Sequence, residues 1–228
     1  YLAAFAAAAG LAASFAATFA YSSLASTPFV TSDIRDFHGR PAMILSAAAW
    51  AALATNWPSV AEMAQRFAGP AVRQAGTLGG NIANGSPIGD AAPVLMALDA
   101  QLELLGPKGT RSCALDGFYL DYMKSQLQPD EVLKALSVPL HQKASGLQLK
   151  AYKVSKRFDS DISAVSAGMA IQVSQGRIAQ IRLAFGGMAA VVKRATQTER
   201  ALLGQPWTQE TVMAALDHLS EDFTPLSD

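Results

Sequence analysis

The stretch "AGTLGGNIANGSPIGDAAPVLMAL", Ala75 to Leu98, constrains the fold of this chain more than any other. It holds five glycines, two asparagines, a Ser-Pro step and an aspartate, and an apolar run follows at once. Backbone N–H groups with no side chain over them can approach a phosphate closely, and in a turn they form an anion-binding concavity. Gly76, Gly79 and Gly80 are placed to give that access, and Thr77, Asn81, Asn84 and Ser86 add neutral donors. Asp90 suits a pair of ribose hydroxyls as their acceptor. A second reading stands beside this one, in which the run is a structural turn and Asp90 caps the next helix. The spacing is not G-x-G-x-x-G, and no G-x-x-x-x-G-K-[ST] occurs. A P-loop or Rossmann-type site is therefore not expected.

Half of the 228 residues are hydrophobic and 16% are charged, which argues for a folded chain with a sizeable core. With a formal net charge of zero there is no basic field for nucleic acid or an anionic membrane. Cys113 is the single cysteine, so an internal disulfide and a multi-cysteine metal site are excluded. That fits a cytoplasmic location. His38, His141 and His218 lie far apart without ligand spacing, and no protein metal site is expected.

Residues 1–45 form a segment that stays unassigned, with no charged side chain from Tyr1 to Ser32. A buried or loosely ordered helix, a membrane or export segment, and a foreign segment are all open for it. The basic flank of a signal peptide is missing, and no membrane partner is expected. The chain reads as a piece of a longer polypeptide.

From Ser46 onward the pattern is firmer. "SAAAWAALATNW" reads as a helix up to Pro58, and "PSVAEMAQRF" as a second, stopped by Gly69-Pro70. "APVLMALDA" is a helix entered through Asp90, "QLELL" a strand, "GPKGTR" a turn, and "EVLKALSVPL" ends as a strand. Composition shifts at "HQKASG", which divides residues 46–140 from 147–228. Beyond it, "LQLKAYKVS", "SAVSAGMAIQVS" and "RIAQIRLAFGGM" read as three strands, the last two joined across "QGR" as a hairpin. Two helices follow, the first ended by Gly204 and the second with Thr208 and Thr211 as candidate caps. The fold class is α+β.

The segment "FAGPAVRQAGTLGGNIANGSPIGDAAPVLMAL" resembles the FAD-binding domain of the molybdenum hydroxylase family. The resemblance continues through "LDGFYLDYMKSQLQPDEVLKALSVP", "YKVSKRFDSDISAVSAGMAI", "RLAFGGMAAVVKRA" and "DFTPLSD", covering about Ser46 to Asp228. It is strongest to the small subunit of bacterial xanthine dehydrogenases. It implies an FAD-binding α/β subdomain, incomplete at its N-terminal side, followed by a C-terminal antiparallel sheet with packed helices. The family's glycine turn of the first subdomain is not found in residues 1–45.

By the same resemblance, Thr77, Gly79, Gly80, Asn81 and Asn84 would lie along the FAD diphosphate and ribityl chain, with Gly76 beside them as a cofactor-binding candidate from its bare backbone. Asp90 would hold the adenosine ribose, and Phe67 in "RFAGP" would pack near the isoalloxazine. Leu133 would sit on a strand passing the flavin, and Lys153 in "AYKVSKRF" near its pyrimidine edge. A fixed ammonium there would stabilise the charge that gathers on reduction. For "KRFDSDIS" two readings remain: a salt-bridged strand entry, or Arg157, Asp159 and Asp161 shaping the mouth of the flavin site.

The function implied is an oxidoreductase subunit that passes electrons from 2Fe–2S clusters through FAD to NAD+ during xanthine or hypoxanthine oxidation. The clusters and a molybdenum–pterin centre would sit on other domains or on a large partner subunit. No side chain of this chain is expected as a general acid or base. A flavin subunit serving carbon monoxide, an aldehyde or an aromatic acyl-CoA, and an assembly module that has lost FAD, are the alternatives.

Overall fold

The computed structural model describes residues 46–139 and 146–224, with short backbone elements at Phe29–Val30 (β1), Ile34–Arg35 (β2) and Pro41–Ala42 (β3). The Ala-rich opening, and with it every reading of residues 1–28, lies outside the described residues.

The first helix, α1 (Ser46–Asn56), buries Ala49, Trp50 and Leu53, spaced to share one face. It ends where Pro58 forces the preceding Trp57 out of helical geometry, at φ −126° and ψ 87°. A 3-10 turn at Pro58–Val60 leads into α2 (Ala61–Arg66). Gly69-Pro70 does more than stop that helix, because Pro70 opens α3 (Pro70–Ala75) from a position suited to its missing N–H. Two more helices follow, α4 (Leu78–Ala83) and α5 (Ala91–Ala97).

Two four-stranded antiparallel sheets complete the architecture. The first joins β4 (Gln101–Gly106), β5 (Gly109–Ala114) and β8 (Val132–Val138) with β1, in the order β1-β8-β4-β5. A small hairpin, β6 (Tyr119–Asp121) with β7 (Lys124–Ser125), lies in the connection. The second sheet joins β9 (Leu147–Val154), β10 (Val165–Ser174), β11 (Arg177–Gly186) and β12 (Lys193–Arg194), in the order β12-β11-β10-β9. The hairpin expected across "QGR" is present, turning through Gln175 and Gly176, both at positive φ. The fold is α+β, as the sequence implies.

All seven residues of α5 are buried, and this helix lies on β10 and β11. The approach is backbone on backbone. A Cβ at Gly168 of β10 would stand 2.3 Å from the Pro93 carbonyl oxygen. One hydrophobic cluster therefore runs from Trp50 and Leu53 through Val94 and Leu95 to Leu149, Ala170 and Ala184.

On the C-terminal side, α6 (Thr196–Leu202) and α7 (Gln209–Ala215) pack around Ile178 and Ile181, and α8 (Leu219–Asp222) lies against α6. Thr208 caps α7 by accepting from the Thr211 amide, while Thr211 itself lies inside the helix. The buried Asp222 carboxylate accepts from the Gln197 amide (2.9 Å), the Thr198 amide (2.9 Å) and the Thr198 hydroxyl (2.8 Å). It thereby caps α6 from 24 residues downstream.

Candidate functional site

The glycine-rich run is not an open loop. Its centre is α4, entered from Thr77 in extended geometry, with the Thr77 hydroxyl accepting from the Gly80 amide at 3.0 Å. Two glycines disfavour a helix by about 1 kcal/mol each. Burial of Leu78 and Ile82 on one face, the cap, and a bond from the Tyr119 hydroxyl to the Ile82 carbonyl (3.0 Å) override that preference. This corrects the expectation of three bare amides. The Gly76 amide already donates to the Val72 carbonyl at 2.7 Å, and the Gly80 amide is held by Thr77. Gly80 is side-chain-free for the cap itself, since a Cβ there would stand 2.8 Å from Thr77 Oγ1. No described residue accepts from the Gly79 amide. A Cβ at Gly79 would meet Leu133 alone, at an ordinary 3.8 Å. Gly79 and Leu133 are thus brought side by side, as α4 packs on β8.

Asn81 follows with its side-chain carbonyl oxygen buried and without a partner among the described residues. That oxygen lies near Gly89, one residue before Asp90. The segment leading to Asp90 is tied down by the Gly187 amide, which donates to the Pro87 carbonyl at 2.8 Å. This contact joins the "SPIGD" and "FGG" segments. Asn84 is exposed at the far end of α4.

Asp90 does not cap α5. Its carboxylate makes no capping bond; Oδ2 receives the Lys153 ammonium at 2.5 Å, and Oδ1 accepts from the Ser163 hydroxyl. Lys153 is 8% exposed and Asp90 6%. Lys153 is therefore not a solvated strand lysine. It sits at the end of β9, opposite Ser166 of β10, on the face that meets α5. Ser166 is fully buried, and its hydroxyl has no partner among the described residues. The two site residues assigned separate duties from the sequence are thus a single ion pair, bridged across 63 positions of chain.

Phe67 is a core residue here, 7% exposed, with its ring centroid 5.4 Å from that of Trp50. In "KRFDSDIS" the local arrangement is the salt-bridged one. Asp161 accepts from the Arg157 amide at 2.7 Å, and that bond holds its carboxyl below the usual carboxylate range. Asp159 is exposed.

Sequence reasoning missed two residues. Arg66 donates to the Lys153 carbonyl (2.9 Å), the Phe158 carbonyl (3.2 Å) and the Ser155 hydroxyl (3.1 Å), with its guanidinium 4.6 Å from the Phe158 ring centroid. It fixes the chain from Lys153 onward to Phe158. Ser163 is the other. Neither carries a local spacing that would reveal it, because each partner is far away in the chain.

Comparison with known proteins places this geometry. Residues 40–141 match the family described as FAD binding domain in molybdopterin dehydrogenase, and residues 150–228 match the CO dehydrogenase flavoprotein C-terminal domain. The chain belongs to the molybdopterin dehydrogenase flavoprotein family. Xanthine dehydrogenase/oxidase of Gallus gallus is 36% identical over 157 residues, 68% of this chain and 11% of that protein. The xanthine dehydrogenase FAD-binding subunit of Escherichia coli O157:H7 is 31% identical over 170 residues, 75% of this chain and 58% of that subunit. Among solved structures, carbon monoxide dehydrogenase of Hydrogenophaga pseudoflava superposes with a TM-score of 0.70 at 33% identity, covering 75% of this chain and 58% of that one. The chain therefore spans little more than half the length of such subunits and about a tenth of the multidomain enzyme. It is a flavoprotein domain of the molybdenum hydroxylase family, and so of an oxidoreductase family. Among the described residues no helix is long and apolar enough to cross a membrane.

Proposed function

We propose that this chain holds FAD and serves as the electron outlet of a cytoplasmic molybdenum hydroxylase. One observation supports the reading above all: polar capacity left unspent in a buried place. The buried Asn81 Oδ1 atom has no partner among the described residues, the amide of the half-buried Gly79 is given no acceptor by them, and the buried Lys153 ammonium spends one donor of three. A donor amide, neutral side chains and one fixed cation suit a ligand with a diphosphate at one end and an electron-rich ring at the other. The residues present therefore fit FAD. Gly79, Thr77 and Asn81 would hold its phosphate and ribityl portion beside Leu133, and Asp90 with Lys153 would complete the polar wall. When bound, FAD supplies the redox chemistry, accepting electrons from 2Fe–2S clusters and passing a hydride to NAD+.

The chain's own contribution is to bind and orient, and to set the charge around the ring through a paired Lys153. The 2Fe–2S clusters and the molybdenum–pterin centre belong to other domains or to a large partner subunit. Xanthine or hypoxanthine is the substrate class favoured by the segments "FGGMAA", "GQPW" and "DFTPLSD". The similarity to carbon monoxide dehydrogenase at 33% identity supports a second reading, in which the same flavin wall serves a different hydroxylase.

The test is direct. The purified protein is expected to carry flavin absorption at roughly 450 nm. Gly79→Ala separates folding from binding, since alanine favours the helix by about 1 kcal/mol and finds room beside Leu133. That variant is expected to fold at least as stably and to hold FAD less well. A protein without flavin bands, even after incubation with FAD, would refute the reading.

A further inference from the structure

Two oxygens of one buried carboxylate are shared between two donors of different kinds. Asp90 Oδ2 takes the Lys153 ammonium, and Oδ1 takes the Ser163 hydroxyl. All three groups are buried, Ser163 at 3% exposure. No described residue other than Asp90 accepts from the Lys153 ammonium, so two of its N–H donors remain. The neighbouring Ser166 hydroxyl does not duplicate the Ser163 bond, having no partner of its own among the described residues.

We propose that Ser163 is a positioning residue for the flavin site. By occupying Asp90 Oδ1, it keeps the carboxylate from closing on the ammonium with both oxygens. Lys153 thereby retains donors for acceptor atoms of the bound cofactor. The physical reason is the cost of a buried acceptor left empty. Without the Ser163 hydroxyl, Oδ1 has no donor, and the ammonium already held at Oδ2 has two donors to spare. The carboxylate then takes up the donors that a ligand would otherwise receive. This inference rests on the FAD reading, and it adds a residue that touches no cofactor atom and acts through Asp90.

Affinity for FAD, read from quenching of flavin fluorescence in the intact protein, tests it with three variants. Ser163→Ala is expected to weaken binding about tenfold, the scale of one hydrogen bond to a charged group. Ser163→Thr, which keeps the hydroxyl and adds a methyl, is expected to stay within about twofold of the native protein. A merely space-filling role reverses that order, because alanine fits easily at this buried position and threonine crowds it. Ser163→Cys, close to serine in size but a weaker donor, gives the same comparison if the alanine variant does not fold. Native-like affinity in Ser163→Ala, or loss in Ser163→Thr equal to that in Ser163→Ala, overturns the proposal while leaving FAD binding intact. A native protein that takes up no FAD overturns both, and is seen before any variant is compared.

Discussion

Replacing Lys153 with methionine removes one half of a buried ion pair and leaves the other half in place. At 2.5 Å the Coulomb attraction between the two groups is roughly 7 kcal/mol for an effective dielectric of about 20. Taking both ions out of water cancels much of it, so the intact pair contributes little net stability. Deleting one partner is a different matter. Asp90 is 6% exposed, and after Lys153→Met its charge has only the Ser163 hydroxyl to face. The expected loss is about 3–5 kcal/mol, a large share of the roughly 5–15 kcal/mol that holds a domain folded. Asp90→Asn in the same chain removes the stranded charge and keeps an oxygen for Ser163, so the double variant is expected to recover most of that loss. Urea unfolding of the native protein, both single variants and the double variant gives the coupling energy as a double-mutant cycle. On the proposed function, the flavin also becomes harder to reduce in Lys153→Met, and more so than in the double variant, because only the single variant leaves a net negative charge beside the ring. A cost below about 1 kcal/mol in Lys153→Met, with no recovery in the double variant, would show a solvated carboxylate and refute the reasoning.

Other perturbations follow from the same structure. Gly168→Ala drives a methyl into the Pro93 carbonyl at 2.3 Å, where no side chain can rotate away, so a loss of about 1–3 kcal/mol or more is expected in thermal unfolding. Thr208→Ala removes the α7 cap and is expected to cost about 1 kcal/mol by the same measurement. Glu131 receives a two-pronged bond from Arg111, at 2.7 Å on each oxygen, which lowers its carboxyl from 4.5 to about 2. A depressed acid contributes stability above its unfolded value and loses it as pH falls through the folded value. Acid unfolding between about pH 4.5 and 2 should therefore be shallower for Glu131→Gln than for the native protein.

Local patterns in the sequence carried far more of the fold than of the site. The helix at Ser46–Asn56 and the hairpin through Gln175 and Gly176 were legible because apolar spacing and turn chemistry agree there. The strand at Gly109–Ala114 is not legible: Gly109, Thr110 and Arg111 fall in the turn expected at "GPKGTR", and the polar "GTRSCA" shows no apolar alternation. For Leu78–Ala83, glycine content pointed to a loop, and tertiary burial of two aliphatic residues decided for a helix. The family resemblance picked out Asp90 and Lys153 one by one. Their partnership was invisible, because it depends on a helix laid across a strand pair 63 residues later in the chain, a distance over which spacing has no meaning.

The clasp between Asp222 and the first turn of Thr196–Leu202 has a consequence for how the polypeptide matures during synthesis. Emerging from the ribosome, the helix must wait for its terminal amides to be satisfied until the aspartate itself has been translated. The last turn of the described chain thus acts as a latch, and the helix at Thr196–Leu202 reaches its native state only after Asp222 has been made.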